Sequence, residues 1–247
     1  MINKAIKFIN LFWAVPIVLV IRLFRPWINI RIGTIKSDRI GHFVDEAAQQ
    51  WAEFSEKTSN QIDLYWLARR TSNEQWTKMV RRNFKVTWWV RHLDFWNNIL
   101  PGGKAHHRSP SSLLRDKNGI LERTKKYMKF LPEEDQTAKN WLRQQGWKED
   151  EQFACLLVRD NAYLDSDPLF ILDKGTWGYH SYRNSDIADF VPAMEWLADQ
   201  GVWILRMGKI MEKPMPSKHK RIIDYAFHPE KNDFLDIWLF AHCNLCI

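Results

Sequence analysis

The sequence has few cysteines and lacks the glycine-rich motifs that define several common classes of nucleotide-binding protein. Three cysteines in 247 residues do not make a disulfide framework, which indicates a reducing compartment. Neither GxGxxG nor GxxxxGK[ST] is present, which argues against a dinucleotide-dependent dehydrogenase and against a P-loop NTPase. The chain does contain 45% hydrophobic residues, enough to fill a sizeable core.

The sequence also lacks an apolar run of the roughly 20 residues that a membrane-spanning helix needs. Its uncharged run at residues 8–21 is 14 residues long and is interrupted by Asn10 and Pro16. No small-x-small cleavage site follows the run; Arg22, Arg25 and Trp27 follow instead. Arginines and a tryptophan after an apolar segment are typical of an interfacial anchor. We therefore predict that residues 1–26 form a membrane-associated segment, with a buried core helix as the alternative.

Acidic residues are scarce in the first half of the chain, although the whole chain carries a formal charge of only +7. Residues 1–132 contain 23 Lys and Arg against 10 Asp and Glu, a balance of +13, whereas residues 133–247 contain 13 against 19, a balance of −6. A basic half suits nucleic acid or an anionic membrane. Because this half follows the apolar segment, we predict an anionic membrane surface as its partner and no nucleic acid.

The stretch from Phe153 to Gly208 predicts a βαβ unit and hence an α/β fold with a parallel sheet. Residues 153–158 and 202–205 are apolar strands, and a helix that ends near Gln200 lies between them. In such sheets, ligands bind beyond the carboxyl ends of the strands. An acid-rich helix start after Pro132 places a domain boundary near residue 131. We therefore expect two α/β domains, at residues 27–131 and 132–247.

Three arginines are predicted to meet at the carboxyl edge of this second sheet. Arg159 and Arg206 follow the two strands, and Arg183 lies near the start of the connecting helix. Converging guanidinium groups favour a phosphate or diphosphate ligand. The neighbouring candidates for binding are Asn184, Ser185 and Gly208. The alternatives are ion pairs of Arg159 with nearby aspartates and an ordinary helix cap at residues 183–186.

The first domain offers a second candidate edge. Residues 27–35 alternate apolar and polar side chains, as in a strand, and a helix is predicted from about Phe43 to Lys57. Gly41 lies in the turn between them and would allow a close approach by a ligand or by backbone, and His42 would lie at the mouth of the helix. A tight turn with a surface histidine is the alternative.

Three other groups contain residue types that bind metals, but they lack the spacing or the further ligands of a metal site. The Asp165-Ser166-Asp167 triplet lies beyond its strand, His106 and His107 are adjacent in a short loop, and Cys243 and Cys246 have no second pair. We predict no metal and no cofactor.

Several segments, taken in their order and spacing, resemble a bacterial family assigned as glycosyltransferases of surface polysaccharide assembly. These are residues 39–42, 157–160, 163–164, 182–187, 206–208, 224–226 and 233–237. Residues 157–159 are also similar to the strand-end motif of fucosyltransferase-like enzymes, whose arginine binds the donor diphosphate. The resemblance implies a GT-B-like architecture of two Rossmann-like domains, in which the second domain holds a nucleotide-sugar donor. It further implies transfer to a glycan or lipid-linked acceptor, at the cytoplasmic face of the bacterial inner membrane.

Glycosyl transfer needs a neutralised leaving diphosphate and a deprotonated acceptor hydroxyl. The resemblance gives the first task to Arg159, Arg183 and Arg206, and we select His42 and then Asp160 as candidates for the base. Members of the family continue beyond the position of Ile247, so we expect the second domain to be incomplete here. The alternative function is a non-catalytic, membrane-associated scaffold or an inactive transferase fragment.

Overall fold

The computed structural model describes residues 4–55, 60–108, 116, 119–124, 127–166 and 178–247. The chain divides into two compact units, residues 1–129 and 130–247, and each is described by itself. Both are α/β, and the strands within each sheet run parallel. The break between the units falls two residues before the predicted boundary at 131.

The first unit contains three strands and five α-helices among its described residues. In chain order these are α1 Lys4–Leu23, β1 Asn29–Ile35, α2 Ile40–Ser55, β2 Gln61–Leu67, α3 Glu74–Asn83, α4 Val90–Ile99, β3 His107–Arg108 and α5 Ile120–Arg123. A 3₁₀ turn at Gly103–His106 precedes β3. The predicted strand at residues 27–35 and the helix after it are confirmed, although α2 begins three residues earlier than predicted.

The first sheet has the order β2-β1-β3, with a single bridge from Tyr65 to Val86 on the outer side of β2. Ile32 and Ile35 of β1 are fully buried and, being three residues apart, lie on opposite faces of the sheet, so this strand is packed on both faces. The first strand therefore lies in the middle, with the next strand on one side and the last on the other. This is the strand order that creates a topological switch point in open parallel sheets.

Helix α1 is part of the first unit and is not an appended tail. Ala14, Val18 and Ile21 are buried in a core cluster with Ile32, Val90 and Leu93. At the end of α1, the Arg22 guanidinium donates to the carbonyl oxygens of Pro101, Asn97 and Leu100 at 2.6, 3.1 and 3.3 Å. These carbonyls belong to the carboxyl end of α4 and the turn after it, where backbone acceptors lack helical partners and a cation is favourable.

A buried polar network joins the first sheet to α2. Arg31 makes two hydrogen bonds of 2.9 Å to Asp63, and the hydroxyl of Tyr65 bonds to Gln50 at 2.8 Å. Arg108 donates to the same Gln50 at 2.6 Å and pairs with Glu53. The buried charges thus have partners, as their desolvation requires.

The second unit contains four strands among the residues described, 130–166 and 178–247. Its elements are α6 Pro132–Gln144, β4 Phe153–Leu156, α7 Ala162–Ser166, α8 Val191–Asp199, β5 Trp203–Arg206, β6 Ile222–Ile223, α9 Asp233–His242 and β7 Leu245–Cys246. 3₁₀ turns cover Gly178–Arg183, Ile187–Phe190 and Tyr225–Phe227. The sheet order β6-β5-β4-β7 again places the first strand between the next strand and the last one. The predicted βαβ unit, β4-α8-β5, is confirmed as a parallel pair.

Two details of the second unit correct the sequence prediction. The connecting α-helix begins at Val191, because residues 187–190 form a 3₁₀ turn that the Asp186 side chain caps at the amide of Ala188. The sequence predicts Asp233 as the cap of a last helix at residues 234–242, but that helix is capped by Asn232, whose side chain accepts from the amides of Phe234 and Leu235. Both caps follow the preference of short polar side chains for helix starts.

We predict that Gly33→Ala destabilises the first unit, whereas the matched change Gly41→Ala does not. A Cβ at residue 33 would overlap the backbone carbonyl oxygen of Arg108, while nothing lies within 4 Å of a Cβ at residue 41. Overpacking of this kind costs about 1–3 kcal/mol, and a Gly→Ala change in an open helical turn is neutral or favourable by up to about 1 kcal/mol. Urea unfolding measures the free energies, and peptide-level hydrogen exchange assigns any loss to β1. Equal stability of the two variants would contradict the packing described here.

Candidate functional site in the second unit

A polar cleft of ≈350 Å³ lies beyond the carboxyl ends of β4 and β5. This is the edge at which parallel sheets bind ligands. The cleft is lined by Val158, Asp160, Asn161, Asn184, Ser185, Asp186, Ile187, Arg206, Glu212 and Lys213. The lining residues come from three segments, which follow β4, precede α8 and follow β5.

Arg206 is the buried cation of this cleft. Its side chain is only 1% exposed, and it pairs with Asp224 at 3.2 Å and donates to the carbonyl of Lys213 at 3.3 Å. The guanidinium carbon lies 5.5 Å from the centre of the Phe227 ring. Its Nε has no hydrogen-bond partner among the described residues. A buried N–H without a partner is costly, and a ligand is one way to satisfy it.

Asn184 contributes a second unsatisfied group to the cleft. Its side-chain nitrogen donates to Asn161 at 2.8 Å, which fixes the orientation of the amide. Its Oδ1 is buried and accepts no hydrogen bond within the part of the chain that the structure describes. Two buried polar atoms of cleft-lining residues, the Nε of Arg206 and the Oδ1 of Asn184, thus lack a hydrogen-bond partner among the described residues.

The segment after β5 is held to the cleft by two aspartates. Asp160 accepts from the amide of Ala162 at 3.0 Å and from the amide of Glu212 at 2.9 Å, so both its oxygens have partners. Asp186 pairs with Lys213, and their hydrogen bond lowers the pKa of Asp186 and raises that of Lys213. The Lys213 and Asp186 side chains are 51% and 44% exposed. An ion pair so exposed contributes little stability, and its lysine is available to a ligand.

The three arginines expected to converge do not all reach this cleft. Arg206 lines it, but Arg159 and Arg183 are not among the described residues that do. Arg183 is exposed and donates to the hydroxyl of Tyr182 at 3.0 Å. The backbone carbonyl of Arg159 accepts from Ser185 at 3.1 Å, and its neighbours Val158 and Asp160 line the cleft in its place. The predicted pocket of three guanidinium groups is thus not assembled here.

The remaining predicted binding residues have mixed positions. Asn184 and Ser185 line the cleft, as the sequence suggested. Gly208 does not line it; its φ of 153° lies in the region that favours glycine, and the side chain of Met211 fills the space that a Cβ would take. Its role is therefore to turn the chain after β5.

The charge of the cleft is more balanced than the sequence suggested. Three carboxylates, from Asp160, Asp186 and Glu212, face two cations, from Arg206 and Lys213. Glu212 and Lys213 were missed because nothing in the spacing of residues 209–216 marks them. Their position depends on the hydrogen bond from the amide of Glu212 to Asp160, a contact between residues 52 apart in the chain.

The other predicted candidates lie at the carboxyl edge of the first sheet. Gly41 and His42 occupy the first turn of α2, and the space beside Gly41 is open, so no packing requires its missing side chain. Glu46 lies one turn further and is 3% exposed. Its Oε2 accepts from the amide of Lys36 at 3.2 Å, its Oε1 has no partner among residues that the structure describes, and burial raises its pKa to about 7.

The groups that resembled metal ligands do not form a metal site. No cluster of three or more His, Cys, Asp or Glu side chains is arranged for a metal among the described residues. Asp167 of the Asp-Ser-Asp triplet lies outside those residues. Nδ1 of His106 bonds to the carbonyl of Ile30 at 2.7 Å, which gives that histidine a structural role.

Comparison of the chain with protein-family models, with curated proteins and with solved structures gave no match. The structure itself shows an α/β protein of two units, each built on a parallel sheet, with a polar cleft in the second unit.

We predict that Glu46→Gln stabilises the first unit at pH 8 but not at low pH. The pKa of Glu46 rises from 4.5 to about 7 on folding, so its stabilising contribution is complete below pH 4.5 and is lost as the pH rises through 7. Removing the buried negative charge should raise the free energy of unfolding by about 2 kcal/mol at pH 8. Urea unfolding at pH 5 and pH 8 measures the difference. Glu122→Gln, at an exposed glutamate, is the matched control, and a gain that is independent of pH would contradict the burial of a charge at residue 46.

Proposed function

We propose that the protein is a glycosyltransferase that uses a nucleotide sugar, and that the cleft of the second unit holds the donor. The observation that carries the proposal is the buried Arg206, whose Nε lacks a partner beside an open polar cleft at the carboxyl edge of a parallel sheet. The sequence resemblance favours the same activity. The acceptor is a glycan or a lipid-linked glycan.

The unused groups of the cleft suit a sugar or ribose better than a bare phosphate. An N–H donor on Arg206 and a carbonyl acceptor on Asn184 are the two partners that a hydroxyl group needs, because a hydroxyl both accepts and donates. With three carboxylates around it, the same cleft would repel a ligand that carries only negative charge. We therefore assign the hydroxyl-bearing part of the donor to Arg206 and Asn184.

The donor diphosphate is assigned to Lys213. Its ammonium group is half exposed and bonds to Asp186 in the unliganded cleft. A diphosphate carries more charge than a single carboxylate, so the ammonium would gain by exchanging partners. Neutralising the leaving diphosphate is the contribution that transfer requires from this residue.

The base is assigned to His42. Asp160, the other candidate, already accepts two backbone hydrogen bonds, which give this carboxylate a structural role. In the proposed GT-B-like enzyme, the second unit binds the donor and the first unit provides the base, so each unit has a role. This arrangement is part of the proposal.

A second candidate function is donor binding without catalysis. It is favoured by the engagement of both oxygens of Asp160, because this carboxylate of the cleft holds two backbone amides of the protein itself. In that case His42→Ala would change nothing that can be measured with the donor alone.

The proposal predicts that Lys213→Ala and Asn184→Ala weaken the binding of one nucleotide sugar by about tenfold each. Charge-assisted hydrogen bonds and buried polar partners contribute about 1.5–3 kcal/mol. Titration calorimetry with UDP-, GDP-, CMP- and dTDP-sugars gives the dissociation constants. Lys209→Ala is the matched control, because Lys209 lies in the same segment, pairs with Asp233 and does not line the cleft.

Transfer is then measured with the donor that binds, using cell-envelope glycans as acceptors. The enzyme predicts that His42→Ala abolishes transfer and leaves donor affinity intact. Binding without transfer in the wild-type protein supports the second candidate. No binding of any donor, or equal affinities for the Lys213 and Lys209 variants, would contradict both.

A further inference from the structure

Helix α1 has two apolar faces, of which one is packed in the core of the first unit and the other is exposed. Ala14, Val18 and Ile21 are buried against the core of the first unit. The opposite face exposes large apolar side chains to solvent. These are Ile9, Phe12, Ile17, Leu19, Val20, Leu23 and Phe24.

The exposed face is continuous and entirely apolar. At about 100° per residue, the exposed positions between Ile9 and Phe24 cover an arc of about 160°, and the half-buried Trp13 and the exposed Pro16 are the remaining residues within it. Phe12 is 70% exposed and Leu23 is 69% exposed. A soluble surface rarely presents so many large apolar side chains side by side, and such a face marks an interaction site.

The charges around this face indicate what covers it. The first 37 residues contain six Lys and Arg and no acidic residue. Arg25 is exposed immediately beyond the helix, together with Trp27, which is 66% exposed and lies 6.1 Å from the ring of Phe24. An apolar face bordered by cations and by an indole matches the chemistry of an anionic lipid surface.

A second copy of the chain fits this face less well. Two copies that met through α1 would bring together two segments of positive charge with no acidic residue to offset them. Among the described residues, no helix has the combination of length and apolarity that crossing a bilayer requires. The packed inner face and the Arg22 contacts to the end of α4 instead keep α1 against its own unit.

We propose that the exposed face of α1 docks in the headgroup region of an anionic bilayer, while its inner face stays in the core of the first unit. The lipid contact is thus made by a structural helix, and it fixes the orientation of the first unit on the membrane surface. This proposal does not depend on the transferase activity.

Vesicle flotation with the full chain tests the proposal. We expect binding to phosphatidylcholine–phosphatidylglycerol vesicles and at least tenfold weaker binding of the double variant Leu19→Gln/Leu23→Gln, because each leucine loses most of its transfer free energy. The variant should keep the wild-type melting temperature, since both side chains are exposed. Arg25→Gln should lose about fivefold in affinity for these vesicles and nothing on pure phosphatidylcholine.

The matched control is Leu157→Gln/Leu245→Gln, at two leucines of the second unit that are 52% exposed, as Leu19 is. This control should bind vesicles as the wild-type protein does. Wild-type affinity in the Leu19/Leu23 variant would overturn the proposal. The proposal would also be overturned if the wild-type protein does not bind vesicles and light scattering shows a dimer that the Leu19/Leu23 variant does not form. A second copy would then cover the face.

Discussion

The ion pair between Arg206 and Asp224 is the interaction on which the second unit's cleft depends. It joins the end of β5 to the residue that follows β6, and the other oxygen of Asp224 accepts from the amide of Met215 at 2.8 Å. One carboxylate therefore positions both the buried guanidinium and the segment that borders the cleft. A buried arginine without this partner would carry an uncompensated charge, which is strongly destabilising.

This pairing also bears on the proposed role of Arg206, which is a buried cation and not a freely exposed one. Its terminal nitrogens are used within the protein, and its Nε is directed to a position where the described chain offers no acceptor. The group is held rigidly and is already desolvated, so binding a ligand costs little reorganisation. Lys213, by contrast, is exposed and paired on the surface, which suits a residue that changes partner.

Much of the fold follows from the sequence, because apolar periodicity and caps are local. The strands at Phe153–Leu156 and Trp203–Arg206, the helix between them and the glycine at 201, with φ of 94°, all follow from short-range patterns. The position of the Arg159 side chain could not be predicted in this way, because a shift of one residue along an extended segment moves a side chain to the opposite face. Lys213 and Asp224 were equally hidden, because their roles arise from contacts between distant segments. The burial of one face of α1 and the exposure of the other also depend on where α4 lies.

The two units share the same strand order in their sheets. Each places its first strand in the centre of a parallel sheet, so that a switch point lies at the carboxyl edge. In the first unit, a buried hydrogen-bond network around Arg108 joins the sheet to α2, and helix α1 exposes an apolar face. In the second, the polar groups left unsatisfied lie at the cleft.

The central claim is that the Nε of Arg206 is completed by a hydroxyl group of the ligand. Proton–nitrogen correlation spectra of arginine Nε–H groups test it directly, with the Arg206 signal assigned through Arg206→Lys. On titration with nucleotide sugars, we expect this signal to shift and its exchange with water to slow. The signal of Arg221 is the control and should stay unchanged, because Arg221 pairs with Glu151 at 2.8 Å and does not line the cleft. An Arg206 signal that does not move when a nucleotide sugar saturates the protein would contradict the account.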